Sequence, residues 1–485
     1  MKKLLTFVFL LTILFTAGCN KKNEDSKLPI DPCANGHTYR EATCTEPKTC
    51  IYCGATLGEP LGHDKSTWIY PAEAKCLELC DAVKVCTRCG KVLETKKLRK
   101  PHEIVRTVVE PTCSKEGYIY EECSVCHKHT KEILPMVDHE YKYVIDKKAS
   151  LNSLGLKHKE CIHCGKKTEQ VQYAANGPSF HGKLRVEGRD LVDKRGRKTQ
   201  LVGLSTHGLQ WFGDLINYKT FDNLHNEFGN NVIRLAMYTA EGGYCESDEK
   251  RKNYFIDLVT KGVELATELD MYVIIDWHCV GADSAKDKNP LTYVEESKEF
   301  FSIMAERFKD YDNVLYEIMN EPNGNTTWND CKQYAEEVIP CIRKYTDAVV
   351  LVGNPHWTAD LQSVMNNPLK GFDNIMYSYH FYANDIKSTY QVTHAYLNNF
   401  PVFISEHGGM NSDGDGAINY NSVNNWYRIL DQYNISYVAW CVSNSRGSAS
   451  IIKQSGDIYD FSDSNLKEWG IFYKNIVRKK FGLDK

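Results

Sequence analysis

A chain of 485 residues with a formal net charge of -4 and a pI near 6.5 is too long for one small domain and has room for a barrel-sized core of about 250 residues. It offers no basic face to neutralise phosphates, so composition excludes a nucleic-acid partner. Of its 19 cysteines, 13 fall between Cys33 and Cys164 and only 5 lie beyond, so two chemically different halves are expected.

Residues 1–19, MKKLLTFVFLLTILFTAGC, read as an export signal: two lysines, an apolar run from Leu4 to Phe15, then small residues. The run is too short for a comfortable membrane span. Thr16-Ala17-Gly18-Cys19 resembles the bacterial lipobox, with Thr16 where Leu is usual. That resemblance implies a lipidated Cys19 anchoring the chain to the membrane at the bacterial cell surface. The alternative is an ordinary cleaved signal and a secreted protein. Residues 20–36 read as a polar tether.

Residues 37–176 form four cysteine and histidine repeats, aligned on Cys50/Cys53, Cys86/Cys89, Cys123/Cys126 and Cys161/Cys164 at steps of 36, 37 and 38 residues. A lone cysteine precedes three of the pairs (Cys44, Cys76, Cys113), and a histidine follows them (His63, His102, His139). Cys76 to Cys86 and Cys113 to Cys123 both span ten positions. Cys89 to His102 and Cys126 to His139 both span thirteen. Grouped within each repeat, three thiolates and one imidazole make the ligand set of a structural zinc site. Units this short cannot bury enough apolar surface to fold unaided. Disulfides are the rival reading, since export favours them and Cys33 and Cys80 fit no repeat position. The fourth repeat has Leu151 in place of the lone cysteine and reads as a degenerate cap. The repeats are similar to short cysteine and histidine repeats of surface proteins from anaerobic gut and rumen bacteria. They are read as a spacer, with wall or polysaccharide binding as the alternative.

Residues 177–485 alternate short β-rich runs with helical patterns. The runs are 200–208, 231–238, 272–278, 314–322, 349–355, 375–382, 401–408 and 436–444. Helical apolar spacing is clear in 251–269 and 293–311. Eight strand-helix units predict an α/β fold, a (β/α)8 TIM barrel. Chemistry in that fold sits at the C-terminal strand ends, where this sequence repeatedly places polar groups: His207, Arg234, His278, Asn320 with Glu321, His380 with Tyr382, Glu406, and Trp440. Core packing alone would favour Val, Ile and Leu there. Glu321 and Glu406 form the pair that glycosidic cleavage needs, one carboxyl protonated and one ionised. Glu317 falls one strand period too early to share the mouth, and Asp276 is placed to brace neighbouring groups.

LYEIMNEPN, with STHGLQWF, IRLAMYTAEGGY, DWH, GNPHW, YHFYA, FISEHG and YVAW in order, resembles glycoside hydrolase family 5, the cellulase family, over roughly residues 183–483. The resemblance implies a retaining endo-β-1,4-glucanase, monomeric and without a catalytic cofactor, acting on β-glucan. Mannan, xyloglucan and mixed-linkage glucan are alternative substrates, and a silent polysaccharide-binding lipoprotein is the non-enzyme alternative. Glu321 is then the acid/base and Glu406 the nucleophile. Asn320 holds the sugar 2-OH, while Arg234 and Tyr382 orient Glu406. His207, His278 and His380 line the cleft, Trp440 is a sugar platform, and Trp211 and Trp357 are further stacking candidates. Two departures stand out: His407 follows the nucleophile where Trp or Tyr is usual, and Ser445 and Gly447 replace a Lys and a Glu that bind glycone sugars.

Overall fold

The computed structural model describes residues 32–281, 286–385 and 388–483. The export signal, Cys19 and most of the tether lie outside the described residues. The chain divides into two compact units, Met1–His139 and Glu140–Lys485, so the fourth CxxC pair belongs to the same compact unit as the barrel. Among the described residues no helix is long and apolar enough to cross a membrane.

The first unit is a series of small antiparallel sheets: Tyr39–Arg40, Lys48–Cys50 and Thr56–Leu57; Leu79–Val85 with Val92–Arg99; and Ile104–Val109, Gly117–Cys123 and His129–Leu134. Each CxxC occupies a hairpin turn. In those turns a backbone N–H returns to the first cysteine's carbonyl, from Gly54 (3.1 Å), Gly90 (2.9 Å) and His127 (2.9 Å). The returning residue is left-handed each time, with φ of 78°, 75° and 58°.

The second unit opens with a sheet of Tyr141–Lys147, Gly155–Cys161 and Val171–Tyr173. It then closes eight parallel strands into a barrel: β1 (Val202–Thr206), β2 (Val232–Tyr238), β3 (Tyr272–His278), β4 (Val314–Glu317), β5 (Val350–Val352), β6 (Ile375–Tyr382), β7 (Val402–Gly408) and β8 (Tyr437–Val442). All eight predicted runs are strands, and the two predicted helices are present as Glu249–Glu268 and Val294–Arg307. β4 is shorter than its predicted run. Beyond Glu317 the backbone leaves the ladder, and Asn320 and Glu321 donate their N–H groups to Trp277 and Cys279 carbonyls at 3.2 and 2.9 Å.

Side chains alternate faces along a strand, so every second residue points into the barrel. The lowest inward layers are apolar: Leu201, Val232, Ile274, Leu315, Leu351, Met376, Phe403 and Val438 pack together. Leu184 and Leu191, flanking and within the hairpin Arg185–Glu187 and Asp190–Val192, plug this end. Two residues further along five of those strands the inward layer turns polar and stays buried: Arg234, Asp276, Glu317, Ser378 and Ser405, joined by Ser205. That change, one side-chain layer below the C-terminal mouth, is where the site begins. Gly353 stands beside it because a Cβ there would lie 2.4 Å from the Met319 carbonyl oxygen.

Candidate active site

Arg234 is the hub of the polar layer. Parallel register sets Ser205 beside Arg234 and Asp276 beside Glu317, so an inward arginine on β2 reaches acceptors from several strands. Its Nε donates to Glu317 Oε2 (2.6 Å), Nη2 to Asn320 Oδ1 (2.6 Å), and Nη1 to Ser205 Oγ (3.2 Å) and Glu406 Oε2 (3.3 Å). Asp276 Oδ2 lies 3.0 Å from Nη2. Burial opposes the guanidinium charge, but Asp276, Glu317 and Glu406 hold it protonated. Burial would likewise raise Glu317, yet the adjoining Arg234 pulls it down to about 2. A buried, fully hydrogen-bonded cation thus orients the groups above it.

Glu406 is delivered by β7, whose register with β6 sets His380 opposite Glu406 and Tyr382 opposite Gly408. Glu406 Oε1 accepts from Tyr382 OH at 2.8 Å. Gly408 makes this possible, since a Cβ there would strike the Tyr382 ring at 2.5 Å. Burial and the nearby Glu321 push the Glu406 carboxyl up, while His380 and Arg234 pull it down.

Glu321 follows β4 by four residues and is the more exposed of the two carboxyls, 14% against 6% of the side chain. Its Oε1 sits 2.8 Å from His380 Nδ1, and His380 Nε2 sits 2.9 Å from Ser405 Oγ. Burial alone would discharge His380, but Glu317 and Glu321 raise it to about 9. One oxygen of Glu321, one of Glu406 and a His380 nitrogen all lie within 4.8 Å of one another. Three such atoms resemble a metal-ligand group in number, but His380 and Glu321 are already at hydrogen-bond distance, 2.8 Å.

The remaining wall is aromatic. His278 stacks on Tyr238 at 4.2 Å between centroids and on Trp440 at 5.3 Å. Its Nδ1 lies 2.6 Å from Asp276 Oδ2 and its Nε2 3.3 Å from Asn320 Nδ2. Burial and then Arg234 lower His278 to about 3, so the ring is neutral, donating to Asp276 and accepting from Asn320. Asp276 therefore braces both Arg234 and His278. His207 Nδ1 accepts from the Gly208 N–H at 2.7 Å, and its ring lies 5.1 Å from Trp440. Trp211 and Trp357 are 49% and 52% exposed, as stacking surfaces require. The Trp357 N–H donates to the Pro322 carbonyl at 3.1 Å, tying that platform to the segment carrying Glu321.

Every barrel residue singled out for catalysis or sugar binding lies at this mouth or in the layer beneath it, whereas His407 is buried on the other face of β7 against Phe381, Tyr427 and Trp469. Sequence reasoning missed Glu317 as a partner of Arg234, and also Tyr238, Ser205, Ser378 and Ser405. Period-2 spacing from the inward apolar residues could have found the last four and Arg234's layer together. In the loop after Trp440, Lys467 Nζ donates to the Ser445 and Gly447 carbonyls at 2.6 and 2.8 Å, so a lysine from outside the loop holds the altered segment in place.

The metal-ligand grouping needs correction. The structure gathers Cys33, His37, Cys50 and Cys53; Cys44, His63, Cys86 and Cys89; and Cys76, His102, Cys123 and Cys126. The expected within-repeat groups, Cys44 with Cys50, Cys53 and His63, Cys76 with Cys86, Cys89 and His102, and Cys113 with Cys123, Cys126 and His139, do not form. The reason is extension: Leu79–Val85 and Gly117–Cys123 are strands of 7 residues. At about 3.3 Å per residue, such strands hold Cys76 from Cys86, and Cys113 from Cys123, roughly 20 Å apart or more. Cys33, which fitted no repeat, completes the first group with His37.

A parallel barrel with one buried and one partly exposed carboxyl facing each other across its C-terminal mouth, under aromatic walls, defines a glycosidase of the two-carboxylate class. The family model "Cellulase (glycosyl hydrolase family 5)" matches residues 192–446. The chain is 44% identical over 294 residues to Endoglucanase A of Butyrivibrio fibrisolvens, covering 60% of this chain and 67% of that one. It is 38% identical over 315 residues to an endoglucanase of Clostridium saccharobutylicum, covering 64% and 68%. Among solved structures, the catalytic domain of a Thermobifida fusca endoglucanase superimposes with a TM-score of 0.58 at 33% identity, over 62% of this chain and 99% of that one. A variant of that domain, solved in complex with cellotetraose, matches with a TM-score of 0.57. The chain belongs to glycosyl hydrolase family 5, the cellulase family.

Proposed function

We propose that the protein is a retaining endo-β-1,4-glucanase in which Glu406 attacks the anomeric carbon and Glu321 serves as acid, then base. The observation that carries this reading is the separation of the two carboxyls, whose nearest oxygens lie within 4.8 Å. Double displacement uses carboxyl groups about 5 to 5.5 Å apart, whereas inversion needs about 6.5 to 9.5 Å to admit a water.

Glu406 is suited to attack because two donors, Tyr382 OH and Arg234 Nη1, favour its ionised form. Glu321 is suited to proton transfer because it is the more exposed of the two carboxyls and lies at hydrogen-bond distance, 2.8 Å, from His380, which steadies the carboxylate left when the proton has gone to the leaving group. As Glu406 forms the glycosyl ester the glycosidic C–O bond breaks and Glu321 gives its proton to the leaving oxygen; the resulting Glu321 carboxylate then takes a proton from the water that attacks the ester and frees Glu406. The Asn320 amide is fixed by Arg234 and Cys279 and is offered to the sugar 2-OH. Trp440 supplies an apolar face to the ring at the cleavage point, and Trp211 and Trp357 extend the path for a polymer. Homologues named endoglucanase and the cellotetraose complex support a β-1,4-glucan chain as the substrate.

The export signal and the Thr16-Ala17-Gly18-Cys19 sequence support an enzyme carried on the outer face of the cell membrane by a lipidated Cys19, with the repeats as spacer. Hydrolysis of carboxymethyl cellulose, barley glucan, xyloglucan and mannan, with product sizing, tests the enzymatic reading. Rapid loss of viscosity with mixed cello-oligosaccharides is expected, and preferential cleavage of mannan would overturn the substrate assignment.

A further inference from the structure

We infer that the first unit is held together by tetrahedral zinc ions that link consecutive hairpins, each ion bound by the CxxC turn of one hairpin and a cysteine and histidine from the segment before it. Wholly within the first unit three groups have this form, and the ligand atoms of each lie within 4.8 Å of one another.

Distances within the groups fit a metal rather than a crosslink. Cys33–Cys50, Cys44–Cys86 and Cys76–Cys123 have Sγ separations of 3.6, 3.5 and 3.4 Å. A disulfide is about 2.05 Å, while zinc with Zn–S near 2.3 Å and Zn–N near 2.0 Å sets tetrahedral edges of about 3.5 to 3.8 Å. The histidine edges agree: His37, His63 and His102 each present Nδ1 to Cys53, Cys89 and Cys126 at 3.3, 3.5 and 3.3 Å. The same ring nitrogen faces the same cysteine position three times.

The unit also lacks any other core. Among residues 32–139 the buried side chains are five cysteines, two alanines and Lys100. Leu57, Leu79, Val92, Ile104, Val105 and Ile133 are all more than half exposed. With so little apolar area removed from water, hydrophobic burial cannot offset chain entropy, and metal binding becomes folding free energy.

Topology explains the pairing across repeats. Leu79–Val85 and Val92–Arg99 place Cys86 and Cys89 at the turn, while Leu77 and Lys100 join backbone to backbone at the open end (2.7 Å). Cys76 and His102 thus meet at that open end, and the next turn, with Cys123 and Cys126, docks on it through the Ile104 and Cys123 pairing. Likewise the Lys65 and Cys86 bridge brings His63 beside Cys89. The first and second repeats therefore each contribute ligands to two ions, and the array interlocks.

Native mass spectrometry with elemental analysis of the full-length protein tests this. Cys44→Ser and Cys89→Ser each lose one zinc, and their double variant still loses only one. Cys44→Ser with Cys53→Ser loses two. His63→Cys retains the full complement with four thiolates, which separates ligand loss from misfolding. A reversed pattern, with Cys44 and Cys53 losing one ion together, would establish within-repeat sites instead. Wild-type protein without zinc and with its cysteines oxidised would overturn the proposal outright.

Discussion

Replacing Tyr382 with Phe removes one hydroxyl and leaves the ring, packed against Gly408, in place. That hydroxyl donates at 2.8 Å to Glu406, whose other oxygen has a longer bond of 3.3 Å from Arg234. Hydrogen bonds to a charged group are worth about 1.5 to 3 kcal/mol, and about 1.4 kcal/mol corresponds to one pKa unit. Losing a donor to the ionised form raises the carboxyl pKa, so the acidic limb of kcat/KM moves up by roughly 1 to 2 units. On the acidic side activity falls about 10- to 100-fold, and the plateau falls less. The assay is a pH profile on a chromogenic cello-oligosaccharide, with a melting curve to verify folding. An acidic limb that stays in place would refute the claim that Tyr382 keeps Glu406 ionised.

Glu317→Gln leaves the buried Arg234 without its closest anion and is expected to destabilise the fold by about 3 to 5 kcal/mol, measured by urea unfolding; kcat falls with it because Asn320 and Glu406 lose their common support. Burial lowers His278 and His407 to about 3. The unfolded state takes those protons first, so stability is complete above pH 6.5 and declines below it by about 1.4 kcal/mol per unit for each histidine. His407→Phe removes a titrating ring and is expected to flatten that decline, and among the described residues neither ring nitrogen of His407 has a hydrogen-bond partner to lose. His380 acts oppositely: its folded value of about 9 contributes stability below pH 6.5 that is lost as pH rises through 9. Trp211→Ala and Trp357→Ala, both at half-exposed positions, raise KM for long glucans several-fold with little change in melting temperature.

The barrel was legible because β-branched and aromatic runs recur eight times with helical spacing between them, and the chemistry because seven of the eight runs carry a group fit for catalysis or sugar binding toward their C-terminal ends. Glu321 and Glu406 could be chosen since NEP and SEHG put a carboxylate just past an apolar strand. What stayed hidden depends on neighbours that only closure of the sheet creates. Glu317 looked like a bystander because it precedes the mouth by one strand period, yet that same period sets it against Arg234 from β2. Ser378 and Ser405 were passed over because a serine in an apolar run reads as a neutral interruption unless the period-2 spacing from Met376 and Phe403 is followed. The cysteine grouping misled for a related reason: equal sequence intervals suggested one site per repeat, but the intervals measure extended strands whose ends cannot meet. Equal spacing reported the repeat correctly and the ligand partition wrongly.

Covalent trapping tests the central claim most directly. Incubation with a 2-deoxy-2-fluoro cello-oligosaccharide bearing an activated leaving group, followed by peptide mass mapping, is predicted to place one glycosyl ester on Glu406. The Glu321→Gln variant is predicted to form the same ester. Labelling at Glu321 or Glu317, or release of an inverted sugar with no covalent intermediate, would contradict the assignment.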